Sequence, residues 1–384
     1  MKKILLMLAT VFAAFGAFAA EYPVVTSVEE LATYSDSTMV LFENIEVTVV
    51  KQDMGYYVQE TPCLSDGTTQ IGGNVWPVPA GFTAGGFVHT AENYDGTTYR
   101  EFYVDSLCTV NKFATLGELL RFASMKDYVD VLKRSTNVVA ESGTAIITSV
   151  YEDYAFFYTM VSRYGYVEPV YGTLKYADAG EYMVIGDEIA ARGGFKGSIV
   201  PTEAVYDEDW NLVSFKGGHY AIDPDVYLYA TNWEGAINIQ YSPVSLGDFG
   251  INYVAEAQPV RVPGGGTFVE KEGKYYYEAE VTGDEYVEGQ GWVNVTTTKS
   301  VQVASAYIDL AQYVGKTSED FLIGVYDRCI VGDEARFLIN GFLSSVAEYE
   351  CIADFLAKGE QYEEEIVTSF VNPLLVTYVY KDDY

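Results

Sequence analysis

Histidine is almost missing from this chain: His89 and His219 are the only two among 384 residues. A three-histidine zinc centre is therefore excluded, and a mixed site would need cysteines or carboxylates at ligand spacings the sequence does not have. Acid–base and triad chemistry also lose their commonest participant. The two histidines lie far apart, and each reads as an ordinary strand or turn residue. Cations are scarce too, with 23 Lys+Arg against 55 Asp+Glu and a net charge of −32. Nucleic-acid binding rests on phosphate neutralisation by Lys and Arg, so this balance disfavours it; it equally disfavours anionic membranes. There is no G-x-S-x-G elbow. Gly315-Lys316-Thr317 ends like a phosphate loop, but Leu310 stands where the first glycine belongs. Asp207, Asp209 and Asn211 begin like a calcium loop, but Leu212 and Gly218 occupy the positions that need Gly and Glu. Paired carboxylates carry no weight among 55 acids. No catalytic residue, metal ligand or cofactor site is assigned.

Long apolar runs are missing as well, apart from one. Lys2 and Lys3 precede an uncharged run from Ile4 to Phe18 that closes on Ala17-Phe18-Ala19. A basic start, a short apolar core and a small-x-small end predict a cleavable secretory signal over residues 1–20. The run falls short of the roughly 20 residues a membrane span needs; an uncleaved anchor is the alternative. Export is the expectation, to periplasm, cell surface or medium. No cysteine follows the run, which argues against an N-terminal lipid anchor. Losing Lys2 and Lys3 takes the net charge from −32 to −34. The four cysteines, Cys63, Cys108, Cys329 and Cys351, lie in a compartment that permits disulfides. Spacing leaves open whether Cys63–Cys108 and Cys329–Cys351 pair or stay free.

What the chain has in abundance is aromatic residues: 34 Tyr, 20 Phe and 4 Trp within a 49% hydrophobic composition. That excludes disorder and favours half-buried strands. A helix-start phrase recurs as Ser27-Val28-Glu29-Glu30-Leu31, Thr115-Leu116-Gly117-Glu118-Leu119 and Ser245-Leu246-Gly247-Asp248-Phe249. Each is a capping box or its Asp variant, with the acid reaching back to the cap amide. Its two apolar positions, three apart, face one core. The copies are separated by whole-domain distances. An aromatic strand follows each: Gly55-Tyr56-Tyr57-Val58-Gln59-Glu60, Asp153-Tyr154-Ala155-Phe156-Phe157-Tyr158 and Gly273-Lys274-Tyr275-Tyr276-Tyr277-Glu278. Before each lies a β-rich run, predicting a helix, a long strand, a turn and an aromatic strand.

Val184-Ile185-Gly186-Asp187-Glu188 and Ile330-Val331-Gly332-Asp333-Glu334 each read as a turn into a strand, and a later glycine, Gly194 or Gly341, reads as a bulge or corner. Asp95-Gly96 carries a type I′ hairpin signal. The predicted divisions are 24–110, 111–229 and 230–348. Cys351-Ile352-Ala353-Asp354-Phe355-Leu356 imitates the helix start, so 349–384 reads as the beginning of a fourth, truncated repeat. The alternative is a final helix and strand that pair with the third.

A helix, a long curved strand, a Tyr-Tyr-x-x-Glu strand (Tyr56 to Glu60) and a Gly-rich strand resemble the tandem OB-fold-like domains of large secreted bacterial surface proteins. The resemblance covers residues from about 25 to the end. It implies an all-β fold with short helices, built of tandem small Greek-key barrels whose ligand face lies on strands 2 and 3. It implies no particular ligand. Immunoglobulin-like sandwiches are the alternative, though the opening helix fits them poorly.

The function expected from these readings is a non-catalytic modular binding or structural protein, with a glycan or a surface protein as partner. The alternative is a set of accessory domains belonging to a larger secreted hydrolase or nuclease. The candidate ligand residues are aromatic: Tyr56, Trp76, Trp210, Trp233, Tyr276 and Trp292. Tyr and Trp offer an apolar face and a polar edge for sugar rings or partner side chains. Cross-strand packing is the competing role.

Overall fold

A computed structural model describes residues 22–93, 95–123, 131–132, 135, 137–163, 166–177, 179–200, 203–206, 212–216, 219–232, 237–246, 257–262, 264–305, 307–316, 321–326, 336–339, 342–345 and 374–380. Strands make up 59% of the residues and helices are few and short, so the fold is all-β. No helix among the described residues is long and apolar enough to cross a membrane. The chain divides into two compact units.

The first unit comprises the chain through Gly143 with Met160–Glu168 and Gly194–Lys196. Its elements are β1 (Val24–Val25), α1 (Val28–Leu31), β2 (Val40–Glu46), β3 (Thr48–Asp53), β4 (Val58–Cys63), β5 (Gln70–Gly73), β6 (Gly81–Glu92), β7 (Thr98–Thr115), α2 (Leu116–Ala123) and β8 (Val139–Ser142). β2 pairs antiparallel with β6, and β6 with β7. β7 runs parallel to β5, which pairs antiparallel with β4, and β4 with β3. Val47 alone separates β3 from β2, so the hydrogen-bonded path returns to the stretch where it began. A bulge at Asn44, whose N–H donates to Thr83 Oγ1 at 3.2 Å, lets this strand bend. Phe42, Phe82, Phe102, Phe113 and Phe122 fill the interior.

The helix starts behave as side-chain chemistry dictates. Thr115 Oγ1 accepts from Glu118 N–H at 3.2 Å, and Glu118 Oε2 accepts from Thr115 N–H at 3.0 Å. In the first copy Ser27 Oγ accepts from Glu30 N–H, but Glu30 reaches back one residue further than expected, to Thr26 N–H at 3.0 Å. The strand that precedes each helix start runs parallel to the strand that follows it. Val24 lies beside Leu41, Phe113 beside Ala140 and Ser242 beside Val260. Asp248 and Phe249 lie outside the described residues.

The second unit comprises Thr144–Thr159, Pro169–Gly193 and the chain from Gly197. Its strands are β9 (Ala145–Val150), β10 (Tyr154–Arg163), β11 (Tyr166–Lys175), β12 (Glu188–Arg192), β13 (Phe195–Val200), β14 (Glu203–Tyr206), β15 (Leu212–Lys216), β16 (His219–Pro224), β17 (Tyr227–Asn232), β18 (Ser242–Pro243), β19 (Gln258–Val262), β20 (Thr267–Lys271), β21 (Lys274–Val287), β22 (Gly291–Ala304), β23 (Phe321–Tyr326), β24 (Arg336–Ile339), β25 (Phe342–Ser345) and β26 (Leu374–Tyr380); β10, β11 and β13 also supply residues to the first unit. A middle ladder follows the order β8, β13, β16, β11, β10, β9. At its corner, Gly194 has φ +93°, and a side chain there would come within 2.1 Å of Ala140 O. A third ladder runs β19, β23, β26, β22, β21, β20, with a core of Val260, Val262, Phe268, Tyr277, Val301 and Val303.

β26 falls in the segment read from the sequence as the start of a fourth repeat. In the fold it pairs antiparallel with β23 and parallel with β22, and Val376 is fully buried in the third core. Two further expectations change. The Asp95-Gly96 turn is not a two-residue hairpin: Asn93 N–H donates to Thr97 O at 2.8 Å, and Asp95 caps that loop by accepting from Thr97 N–H. Cys63 and Cys108 are both buried thiols rather than a disulfide, each Sγ facing a nearby carbonyl, Thr61 O at 3.6 Å and Ser106 O at 3.9 Å. Burial, with the Asp66 carboxylate nearby, pushes the Cys63 thiol up. Cys329, Cys351, Gly332, Asp333 and Gly341 lie outside the described residues.

Candidate functional site

The six aromatic candidates separate sharply. Tyr56 and Tyr57 do not lie in a strand as expected; they form the tip of the β3–β4 hairpin because Asp53 Oδ1 accepts from Gly55 N–H at 2.7 Å and turns the chain early. Tyr56 is 87% exposed and meets Tyr57 edge to face at 4.9 Å. Trp76 is half-buried beneath the Arg121 guanidinium, 5.9 Å from its ring centroid. Trp210 and Trp233 lie outside the described residues. Tyr276 and Trp292 stand on one ribbon, formed by β21 and β22.

That ribbon pairs thirteen residues a side without a register shift, from Tyr275 opposite Val303 to Val287 opposite Gly291. Opposed residues in an antiparallel ladder point the same way, and the period is two. Inner-face Tyr277, Val301 and Val303 therefore enter the core, where Tyr277 OH accepts from Gly266 N–H at 2.9 Å. The other face carries Tyr276 opposite Gln302, then Glu278 opposite Ser300, Glu280 opposite Thr298, Thr282 opposite Thr296, Asp284 opposite Asn294, and Tyr286 opposite Trp292. From Glu280 to the tip, every described residue on this face is exposed. Thr282 and Thr296 hydroxyls meet at 2.9 Å, and Asn294 Nδ2 donates to Asp284 Oδ1 at 3.2 Å.

Trp292, 74% exposed, meets Tyr286, 63% exposed, edge to face at 5.7 Å and 70°. Tyr286 was not anticipated, although the signal was present. A turn through Gly289, φ +82°, and Gly291, φ +78°, places residues equidistant from it opposite each other. At the other end Lys271 Nζ sits 5.6 Å over the Tyr276 ring and pairs with Glu278. The Lys271 ammonium bond holds the Glu278 carboxyl below its usual range. The face carries rings at both ends and hydrogen-bond acceptors and donors between.

The first unit holds a second cluster. His89 Nε2 lies 2.7 Å from Glu101 Oε2, beside the stacked pair Phe87 and Tyr103 at 5.3 Å. Glu101 also holds the Tyr99 hydroxyl, which burial and that carboxylate push above its usual range. Among the described residues, no group of three or more His, Cys, Asp or Glu is arranged to hold a metal ion. His219 opens β16. Comparison with protein-family models and with curated protein sequences returned no match.

Proposed function

We propose that the chain is an exported, non-catalytic binding protein made of tandem OB-like Greek-key barrels, and that its third barrel engages a glycan or a surface protein through β21 and β22. The barrel reading is supported by strand order. Taking β2 with β3 as one bent strand, the first ladder runs 1-2-3-5-4 and back to 1; β8 with β9, and β19 with β20, open the same order. Strand 3 parallel to strand 5 is the pairing an OB barrel needs, and strands 2 and 3 are its usual ligand face. The observation that carries the binding reading is the Tyr286–Trp292 pair. It stands on a two-stranded ribbon that outruns the core, where packing gives no reason for two large exposed rings.

The test is a glycan microarray together with a pull-down from cell-surface extract, run in parallel on the secreted chain and on Trp292→Ala. The reading expects at least one ligand bound by the native chain and lost by the variant. Ligands retained in full by Trp292→Ala, or no ligand in either assay, would overturn it.

A further inference from the structure

We infer that the outward face of β21 and β22 is a continuous track for a single strand of uncharged, linear polysaccharide, running from Trp292 and Tyr286 at the tip to Tyr276 at the barrel. This rests on the binding reading given above and narrows it to a substrate class.

The geometry is that of a track rather than a pocket. Five two-residue steps separate the Tyr286 row from the Tyr276 row, about 34 Å at antiparallel strand rise. Each step presents one pair of side chains, so a repeating ligand meets a repeating surface. The middle of the track holds Asp284, Asn294, Thr282, Thr296, Glu280 and Thr298, short acceptors and donors suited to the paired hydroxyls of a sugar chain. The rings at the ends can lie on the apolar faces of pyranose units, as stacking surfaces do for other flat ligands.

Charge sets the class. Asp284, Glu280 and Glu278 line the face; of the two lysines at its barrel end, Lys271 is bound to Glu278 and Lys274 lies opposite Lys271, two residues before Tyr276. The whole chain carries −32. A polyanionic glycan would meet like charge at the Glu278, Glu280 and Asp284 rows and from the chain as a whole. Twist sets the physical form. Two-stranded ribbons twist more than wide sheets, so the face turns along its length. A single chain can follow that turn, whereas the flat surface of a crystalline polymer cannot.

In the middle ladder the corresponding strands, β10 and β11, bury Phe156 and Phe157 on successive positions, while Met160, Tyr166 and Val167 nearer their turn are exposed.

The experiment is affinity electrophoresis of the full secreted chain through gels holding glucomannan, xylan, mixed-linkage β-glucan or, as the polyanion, polygalacturonate. Titration with oligomers of two to eight sugars from the most retarding polymer follows. Retardation by an uncharged polymer and none by polygalacturonate is expected. Affinity should keep rising beyond the trisaccharide. Trp292→Ala should weaken binding about tenfold or more. The double variant Asp284→Ala/Asn294→Ala, with the tip rings intact, should weaken it about three- to tenfold. Near-ultraviolet circular dichroism of each variant, unchanged from the native chain, separates lost contact from lost fold. Glycan binding that saturates at two or three sugars and ignores the double variant would overturn the track and leave the binding reading standing. Preference for polygalacturonate would also overturn it. Absence of any glycan or protein ligand sensitive to Trp292 would overturn both.

Discussion

Tyr286 and Trp292 face each other across the tip of one hairpin, ring centroids 5.7 Å apart, six residues apart in sequence and paired in register. Both are largely in water, so the pair adds little to folding. Trp292→Ala is predicted to change unfolding free energy by no more than about 0.5 kcal/mol, as for surface sites generally. Urea denaturation checks this. A loss of several kcal/mol would make the ring a packing residue and remove it from the binding account.

Tyr277 is the contrasting case, a ring fully buried in the third core. Tyr277→Phe leaves the Gly266 N–H without its acceptor and should cost about 1–3 kcal/mol, the penalty of an unsatisfied buried donor. Tyr277→Ala adds a cavity and should cost about 3–5 kcal/mol. Equal stability of Tyr277→Phe and the native chain in denaturant titration would mean that the hydrogen bond contributes nothing.

Val376 tests where the last strand belongs. Its side chain is buried among Val260, Phe268 and Val303, so Val376→Asp places a carboxylate in that core, and destabilisation of about 3 kcal/mol or more is expected. Hydrogen exchange localises the effect: β19–β23 amides should lose protection. Protection there unchanged by Val376→Asp would return Leu374–Tyr380 to a separate domain.

The cap at Thr115 carries a pH dependence. Burial pushes the Glu118 carboxyl above its ordinary 4.5, against the lowering effect of the Thr115 hydrogen bonds. Folding therefore favours its protonated form. That contribution is complete below the unfolded value and is lost as pH rises through the raised folded value. Glu118→Gln stays neutral and still accepts from Thr115 N–H. It should match or exceed native stability at pH 7 and flatten the stability–pH curve above 4.5. Thr115→Ala, which removes the cap acceptor, should cost about 1 kcal/mol. Thermal melts of both variants across pH decide the sign.

Cys63 and Cys108 should both be thiols in the purified chain. Without reductant, alkylation should label them only after unfolding, since each is buried and the Cys63 pKa is raised. A peptide carrying a Cys63–Cys108 disulfide in the mass spectrum would contradict the fold around β4 and β7.

The sequence was most legible where local chemistry decides the outcome. A hydroxyl three residues before an acid marks a helix start by geometry alone, and Thr115 with Glu118 behaves accordingly. Alternating aromatics mark strands, and Tyr277 and Tyr276 divide between core and surface as a period of two requires. Legibility failed where a partner is distant. Leu374 lies beside Val303, a neighbour no local pattern identifies, while the phrase from Cys351 to Leu356 imitates a helix start. Among the site residues, Trp292 was visible as a residue type but Tyr286 only through its place about the turn. Trp76 was chosen by type too, and its burial beneath Arg121 comes from elements more than forty residues apart in sequence.

The most direct test of the account is hydrogen–deuterium exchange on the purified chain, free and saturated with the polysaccharide that retards it most in the gel. Binding along the track predicts slowed exchange across residues 280–298 and little change at the Tyr56 hairpin of β3 and β4. Protection confined to β3–β4, or spread over neither hairpin, would contradict the assignment of β21 and β22 as the ligand face.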